Sequence, residues 1–475
     1  MARPTLTYLT EDEREFVHEQ TVRLLEQVGI AYNTPKAIDL LAKAGAPVDR
    51  ERLTARLPWD LVERCLASVP HEVLLAGRDP SRDCVVRPGE TLFTTDGTAT
   101  FMLDDLSGER HEGTVEDLSR LARLFDALGE IDFVWPSVAP LDVDPRTAGL
   151  QIAAITFENC AKHLQDEVRE PAQAGAFVEL LETIAGASLQ ERPIYSVITC
   201  TVAPLQHDGA MTEAHMAMVR AGAPMLVLPM PQMGTTGPMS VLGTCIVHMA
   251  ELLSTVVIYQ LAAPGCGMIA GVGAAVADMR SGAYLCGTPE VALIDVICIE
   301  MSKRYGLLSL GSAVSSDAKA CNHQAGAEGM MTGLASILAE AECILAFGIL
   351  DGAQTASLAK TVLDADTVGM LRRFCREEPI DAAKALMDDI VEVGIGGHYL
   401  GRKSTRRLLR SGELWQPAVF QRGPFEEYRT RSLVRDAVER AQELLRTHEV
   451  PPLDDATRRE VQAIIARYGA CGSEA

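Results

Sequence analysis

Apolar residues along this 475-residue chain recur in two rhythms: short continuous runs, and longer stretches spaced three and four apart. The two are clearest between Leu307 and Thr355. An apolar run (Leu307 to Val314) is followed by a polar loop (Ser315 to Gln324) and a stretch of helical spacing (Ala325 to Glu342). A second run (Cys343 to Leu350) and a second polar loop (Asp351 to Thr355) complete the unit. Short runs alternating with helices predict parallel strands, because a parallel pair needs a long crossover. The same rhythm predicts strands at Ile131 to Val138, Ala161 to Asp166, Ile194 to Thr201, Met225 to Pro229, Met268 to Val272 and, most weakly, Leu293 to Val296. Eight strands over about 220 residues match a (β/α)8 barrel. Glu290 to Tyr305 also reads as one helix, which leaves the sixth strand to lie elsewhere.

The flanks differ. Thr10-Glu11-Asp12-Glu13 is a capping box opening a helix, and short helices follow at Pro35 to Ala44 and Pro58 to Ser68. Val73 to Arg110 alternates β-like runs with turn signals, predicting a small antiparallel element of three to five strands. Thr114, with Asp117 three residues on, caps a helix to Leu128. Beyond Leu350 the chain becomes charged and helical, with helices at Thr367 to Cys375, Asp381 to Val393, Val434 to Thr447 and Asp454 to Tyr468. The expected division is residues 1–113 as helices and a β element, 114–365 as the barrel, and 366–475 as a helical extension packed on it.

A formal net charge of -22 excludes a phosphate-binding surface of the nucleic-acid kind and mildly favours a cationic substrate. The 12 cysteines form no CxxC pair or regular framework, as expected of a reduced cytoplasmic protein. Met1 to Thr10 lacks the pattern of a signal peptide. The longest apolar windows carry His248, Glu251 or Asp295, so they are expected to be core helices and not membrane spans.

Barrels build their sites from the loops after strands, so polar groups there are the candidates. Asp317, Lys319, Gln324 and Glu328 follow the seventh strand, and Asp351 and Gln354 follow the eighth. Gln232 lies in a Gly- and Thr-rich loop (Met230 to Gly237) after the fourth. Trp135, one of three Trp, reads equally as an aromatic wall for a cation at the mouth and as a core aromatic. Lys162-His163 with Asp166-Glu167 is a charged cluster at the second strand, costly unless used. The Gly265-Cys266-Gly267 and Gly271-Val272-Gly273 turns lack the rest of a phosphate-loop signature and predict close packing. Cys321-x-His323 and Cys160 near His163 lack further ligands, so no metal site is expected. Arg402 to Arg410 reads as a solvated helix face.

Several segments together resemble the trimethylamine methyltransferase family. They are Thr94-Thr95-Asp96-Gly97, Leu103 to Arg110 with Asp117-Leu118, Asp126 to Pro136, Lys162-His163, Ser315-Ser316-Asp317-Ala318-Lys319 with Gln324-Ala325-Gly326 and Glu328, Gly348 to Asp351, and Gly397 to Leu400. The founding members carry pyrrolysine in the barrel. This chain uses standard residues throughout and so resembles the non-pyrrolysine branch, which includes glycine betaine methyltransferases. The resemblance implies a TIM barrel that moves a methyl group from a quaternary amine, glycine betaine-like or carnitine-like, to the Co(I) corrinoid (cobalamin) of a separate carrier protein. Tertiary amines are further possible substrates. No cofactor bound by this chain is expected, since the cobalt-ligating Asp-x-His-x-x-Gly pattern is absent.

A permanently charged ammonium leaves as a neutral amine, so the enzyme needs mainly to aim it. The residues expected to act are Asp317, Lys319, Gln324 and Asp351 as catalytic groups and Trp135, His163, Gln232 and Gln354 as substrate-binding groups. A betaine carboxylate would find donors in Lys162, His163, Lys319 and Gln232. A homo-oligomer in methanogenesis-related metabolism is the expected setting. Two other readings stand beside this one: a barrel lyase or hydrolase with Asp317 and Lys319 as acid–base pair, and a non-catalytic binder of quaternary amines.

Overall fold

A computed structural model describes residues 4–471. Its centre is a parallel sheet whose seven strands neighbour one another in the order Leu92–Thr95, Cys343–Ala346, Leu308–Ser312, Met268–Gly271, Met225–Leu228, Tyr195–Cys200, Leu164–Asp166. Parallel bridges from Phe133 to Thr94 and from Val134 to Leu164 join the two ends, so the sheet closes into an eight-membered (β/α)8 TIM barrel. Both faces of these strands are covered, which is why they read as continuous Val, Ile, Leu and Met runs with no alternation.

Inward-pointing Phe133, Ile198, Leu226, Ile269, Leu310 and Leu345 fill the barrel. The antiparallel hairpin Val73–Leu75 with Cys84–Val86 plugs its N-terminal end. Val73, Leu75 and Val86 belong to the same apolar cluster, and a Cβ on Gly267, just ahead of strand Met268–Gly271, would stand 3.0 Å from Val73. Two small sheets stand at the opposite end. One joins Gln232–Met233, Ala275–Ala277 and Tyr284–Leu285; the other joins Ile349–Leu350, Thr355–Ala356, Phe101–Leu103 and Arg110–Glu112.

Three expectations are corrected. Leu92–Thr95, assigned from sequence to the N-terminal β element, pairs in register with Cys343–Ala346 and is the first barrel strand. The expected boundary at residue 113/114 therefore falls inside the barrel, and Val73 to Arg110 is not one antiparallel sheet. Leu293 to Val296 is not a strand; it lies in the helix Pro289–Arg304, capped by Thr288. Ile131 to Val138 contributes bridges and no continuous strand.

The helices form the outer ring. Thr10 and Glu13 make the reciprocal cap of Glu11–Gln27, and Thr114 and Asp117 that of Val115–Ala127. Val241–Ala262 is the one helix among the described residues long and apolar enough to cross a membrane, and 72% of that window is buried inside the protein. It packs against Glu11–Gln27, Trp59–Leu66 and Pro289–Arg304. At the C-terminus, Leu433–Thr447 packs on Leu358–Cys375, and Asp455–Cys471 on Pro171–Ala185. Between them, no residue from 372 to 436 is buried.

Candidate active site

A cavity of about 380 Å³ opens at the C-terminal end of the barrel, framed by the strand ends and the small sheet carrying Gln232 and Tyr284. Its wall includes Asp96, Trp135, Gln232, Tyr284, Cys286 and Gln354. Leu228, Met230, Val272 and Leu345 supply the apolar floor, and Ser312 and Ser315 add hydroxyls.

Trp135 anchors one side. Its backbone N–H donates to Thr95 Oγ1 at 2.7 Å, and that hydroxyl donates to the Trp135 carbonyl at 2.6 Å. The indole Nε1 donates to Asp166 Oδ1 at 3.3 Å. Gly97 allows the ring this position, since a Cβ there would stand 2.7 Å from its atoms. Asp96, at the end of the first strand, accepts from the Gly97 N–H at 2.9 Å, while Ser137 Oγ donates to its carbonyl. Part of Asp96 faces the cavity, yet protein on its other sides strips water from the carboxyl and pushes its pKa up to about 7. Desolvation pushes Asp166 up to about 7 as well, against the opposing N–H of Glu167. Trp135 thus has the Asp166 carboxyl at its edge and shares the cavity wall with Asp96.

The Gln232 backbone is fixed by Thr236 Oγ1 at 2.8 Å and by the Gly237 N–H at 2.8 Å. Its carboxamide has no hydrogen-bond partner among the described residues, and Gln354 is exposed on the opposite wall. Burial raises the Cys286 thiol and the Tyr284 phenol well above their ordinary values, so neither is an activated nucleophile.

The remaining expected residues form a rim outside the lining. Asp317 accepts from Cys286 N at 2.8 Å and Gly287 N at 3.2 Å, tying the seventh-strand loop to the hairpin that carries Tyr284. Burial raises its pKa against those two donors. Lys319 donates to the Asp317 carbonyl at 2.9 Å and pairs with Asp351, which also receives Arg110 Nη1 at 3.0 Å. Gln324 donates to Glu328 Oε1 at 2.8 Å, and Glu328 Oε2 accepts from Ser316 and from Asp317 N. These four side chains stitch the rim together and do not line the cavity.

His163 is corrected. It lies at the plugged end, where Nδ1 meets the Ala76 carbonyl at 3.1 Å and Nε2 meets Ser196 Oγ at 2.9 Å. Lys162 there donates to the carbonyls of Phe125 and Leu128, closing the end of helix Val115–Ala127. Cys321 Sγ contacts Asp105 and Ser357, and no group of three or more His, Cys, Asp or Glu among the described residues is arranged to hold a metal ion. Sequence reasoning missed Asp96, Tyr284 and Cys286. The signal for Asp96 was present, a polar Asp-Gly directly after an apolar run, but that run was assigned to another sheet.

The sequence model for trimethylamine methyltransferase (MTTB) matches residues 1–472, so the chain belongs to the trimethylamine methyltransferase family and is a methyltransferase. It is 29% identical to the glycine betaine methyltransferase of Desulfitobacterium hafniense (strain Y51), over 98% of each chain. It is also 29% identical to the trimethylamine methyltransferase MttB2 of Methanosarcina mazei, over 97% of this chain and 94% of that one. The crystal structure of the Methanosarcina barkeri monomethylamine methyltransferase (MtmB) superimposes with a TM-score of 0.56 at 14% identity, covering 97% of this chain and 89% of that one, and shares its fold.

Proposed function

We propose that this member of the trimethylamine methyltransferase family transfers one methyl group from a quaternary amine, held in the barrel-mouth cavity, to the Co(I) corrinoid of a separate carrier protein. One observation carries the reading. The cavity wall includes an aromatic ring, Trp135, and the Asp96 carboxyl, and its Cys286 thiol and Tyr284 phenol are not activated nucleophiles. Such a wall suits a cation through its ring quadrupole and a nearby negative charge. The printed activities of the relatives support the amine, and the family supports an external methyl acceptor.

The chemistry follows from leaving-group ability. The Co(I) electron pair forms a bond to the methyl carbon as the C–N bond breaks, and the C–N pair goes to nitrogen. A quaternary nitrogen departs as a neutral tertiary amine without a proton, and cobalt becomes methyl-Co(III). The protein supplies orientation and exclusion of water. Trp135 and Asp96 hold the ammonium, Gln232 and Gln354 orient its substituents, and Asp317, Lys319, Gln324 and Asp351 fix the rim that the carrier approaches. The lyase or hydrolase reading is less well supported, because Asp317 is occupied by two backbone N–H groups and Lys319 by Asp351.

A cytoplasmic, homo-oligomeric enzyme built of N-terminal segment, barrel and C-terminal extension completes the proposal. The free thiol state of the 11 described cysteines supports the compartment. Mixing the protein with a reduced, demonstrably competent carrier and a panel of quaternary amines is expected to give the methyl-Co(III) absorbance with at least one of them. No spectral change across the panel overturns the reading.

A further inference from the structure

We infer that the amine is a permanent cation whose remaining substituent is uncharged, a choline-like or tetraalkylammonium substrate without a carboxylate. The inference rests on the function proposed above and narrows its substrate. The lining of the cavity contains one carboxyl, Asp96, and no Arg, Lys or His. Several cations near the mouth are committed elsewhere, and Arg280, in the turn of the hairpin that carries Tyr284, is exposed and outside the lining. Lys162 and His163 lie at the far end of the barrel. Lys319 and Arg110 both hold Asp351, and Arg110 also sits 4.2 Å over the Phe101 ring. Arg169, beyond Trp135, pairs with Glu167 at 3.1 Å. The Lys360 ammonium is saturated by the Val314 carbonyl and both oxygens of Asp364.

Six backbone donors of the wall are already used. The backbone N–H groups of Gly97, Gln232, Gly273, Cys286, Gly352 and Gln354, all on the wall, are already given to Asp96, Thr236, Pro229, Asp317, Ser316 and Asp351. What surrounds the cavity is negative: Asp96 in it, Asp166 behind Trp135, and Asp295 behind Ser312, whose N–H it accepts at 2.8 Å. A carboxylate entering here loses its water, gains no ion-pair partner and faces Asp96. A hydroxyl or alkyl tail meets the Gln232 and Gln354 amides and the hydroxyls of Thr98, Tyr284, Ser312 and Ser315. Of the donors expected from sequence for a betaine carboxylate, Gln232 alone reaches the site.

Choline and glycine betaine test this directly, since they share the trimethylammonium head and differ in tail charge. Calorimetric titration of the wild-type protein at pH 8 is expected to show choline binding at least tenfold more tightly than glycine betaine. Equal or tighter binding of glycine betaine overturns the inference, and the function stands if either amine then methylates a competent carrier. Absence of binding for both choline and tetramethylammonium overturns the inference, while the function falls only if the whole panel of quaternary amines fails to methylate a competent carrier. In Asp96→Asn the preference is expected to fall toward unity, chiefly through weaker choline binding. A variant that is folded by circular dichroism and keeps the full preference overturns the role given to Asp96.

Discussion

Asp96 is the residue on which pH should act. A cation binds its ionised form, while desolvation holds the free carboxyl near pKa about 7. Below that pH, binding must first expel a proton, so affinity for choline is expected to rise up to tenfold per pH unit from 5.5 to 7 and to level off above. Tyr284, Cys286 and Lys360 also interact with Asp96; the first two are held neutral by burial, and the Lys360 ammonium is bound to Asp364. Affinity in Asp96→Asn should be flat over the range, and an equally steep profile there would assign the proton to another group. Asp295 gives a contrasting case. Its pKa is pushed up to about 7 by burial, and Oδ1 has no partner. A raised acid means the folded state holds the proton more tightly, so stability is lost as pH rises from about 4 through 7. Asp295→Asn is expected to melt several degrees higher than wild type at pH 8 with a smaller difference at pH 5, as differential scanning calorimetry would read. At this scale Gln232 and Gln354, amides just past apolar runs, and Trp135, inside one, were legible as residues of the cavity wall. His163 was not, because the expected strand Ala161 to Asp166 is polar at both ends and sequence does not say which end faces the mouth.

Elements were legible where apolar spacing was long and failed where it was short. The 22-residue helix Val241–Ala262 and the strand–helix–strand unit near residue 307 carry their own periodicity. Leu92–Thr95 is four residues between turn signals, and nothing local says that its partner lies 251 residues away at Cys343–Ala346. Leu293 to Val296 is apolar enough for a strand, but Thr288-Pro289 caps a helix through it. The rim hairpin gives an element-scale prediction. Tyr284–Leu285 is held over the cavity by the two N–H groups that Asp317 accepts just beyond it. Asp317→Ala leaves both donors unpaired, a cost of roughly 1–3 kcal/mol, and frees the wall that carries Tyr284. The substrate KM is expected to rise several-fold with a smaller fall in kcat, and Asp317→Asn, which still accepts one bond, should recover part of it. If kcat falls a hundredfold with KM unchanged, Asp317 acts on the reacting atoms and the positioning role is wrong.

Across the whole molecule the charge is unevenly spread. The chain carries a formal -22, yet residues 396–431 hold eight Arg and Lys against three Glu. That segment and the more acidic stretch just before it leave large apolar side chains open: Ile380, Val391, Ile395, Leu400 and Phe425 are all at least 74% exposed. A monomer seldom presents so many together, and apolar residues mixed with Arg are the composition of an interface. Asp366 pins the base of this segment by accepting the N–H groups of Ala418, Val419 and Phe420 at 2.7 to 2.8 Å, so its position is defined without burial of its own. The exposed apolar side chains, with a basic stretch beside them on an acidic body, are the physical support for the proposed homo-oligomer. Sedimentation of the wild-type protein is expected to give a multiple of the chain mass. Val391→Asp with Ile395→Asp should shift it to the monomer without unfolding, because neither side chain contributes to a core. Choline affinity should stay within about twofold of wild type, since the lining of each cavity comes from its own barrel. A monomeric wild-type protein at micromolar concentration would remove the oligomer, and the exposed arm would then face the carrier instead.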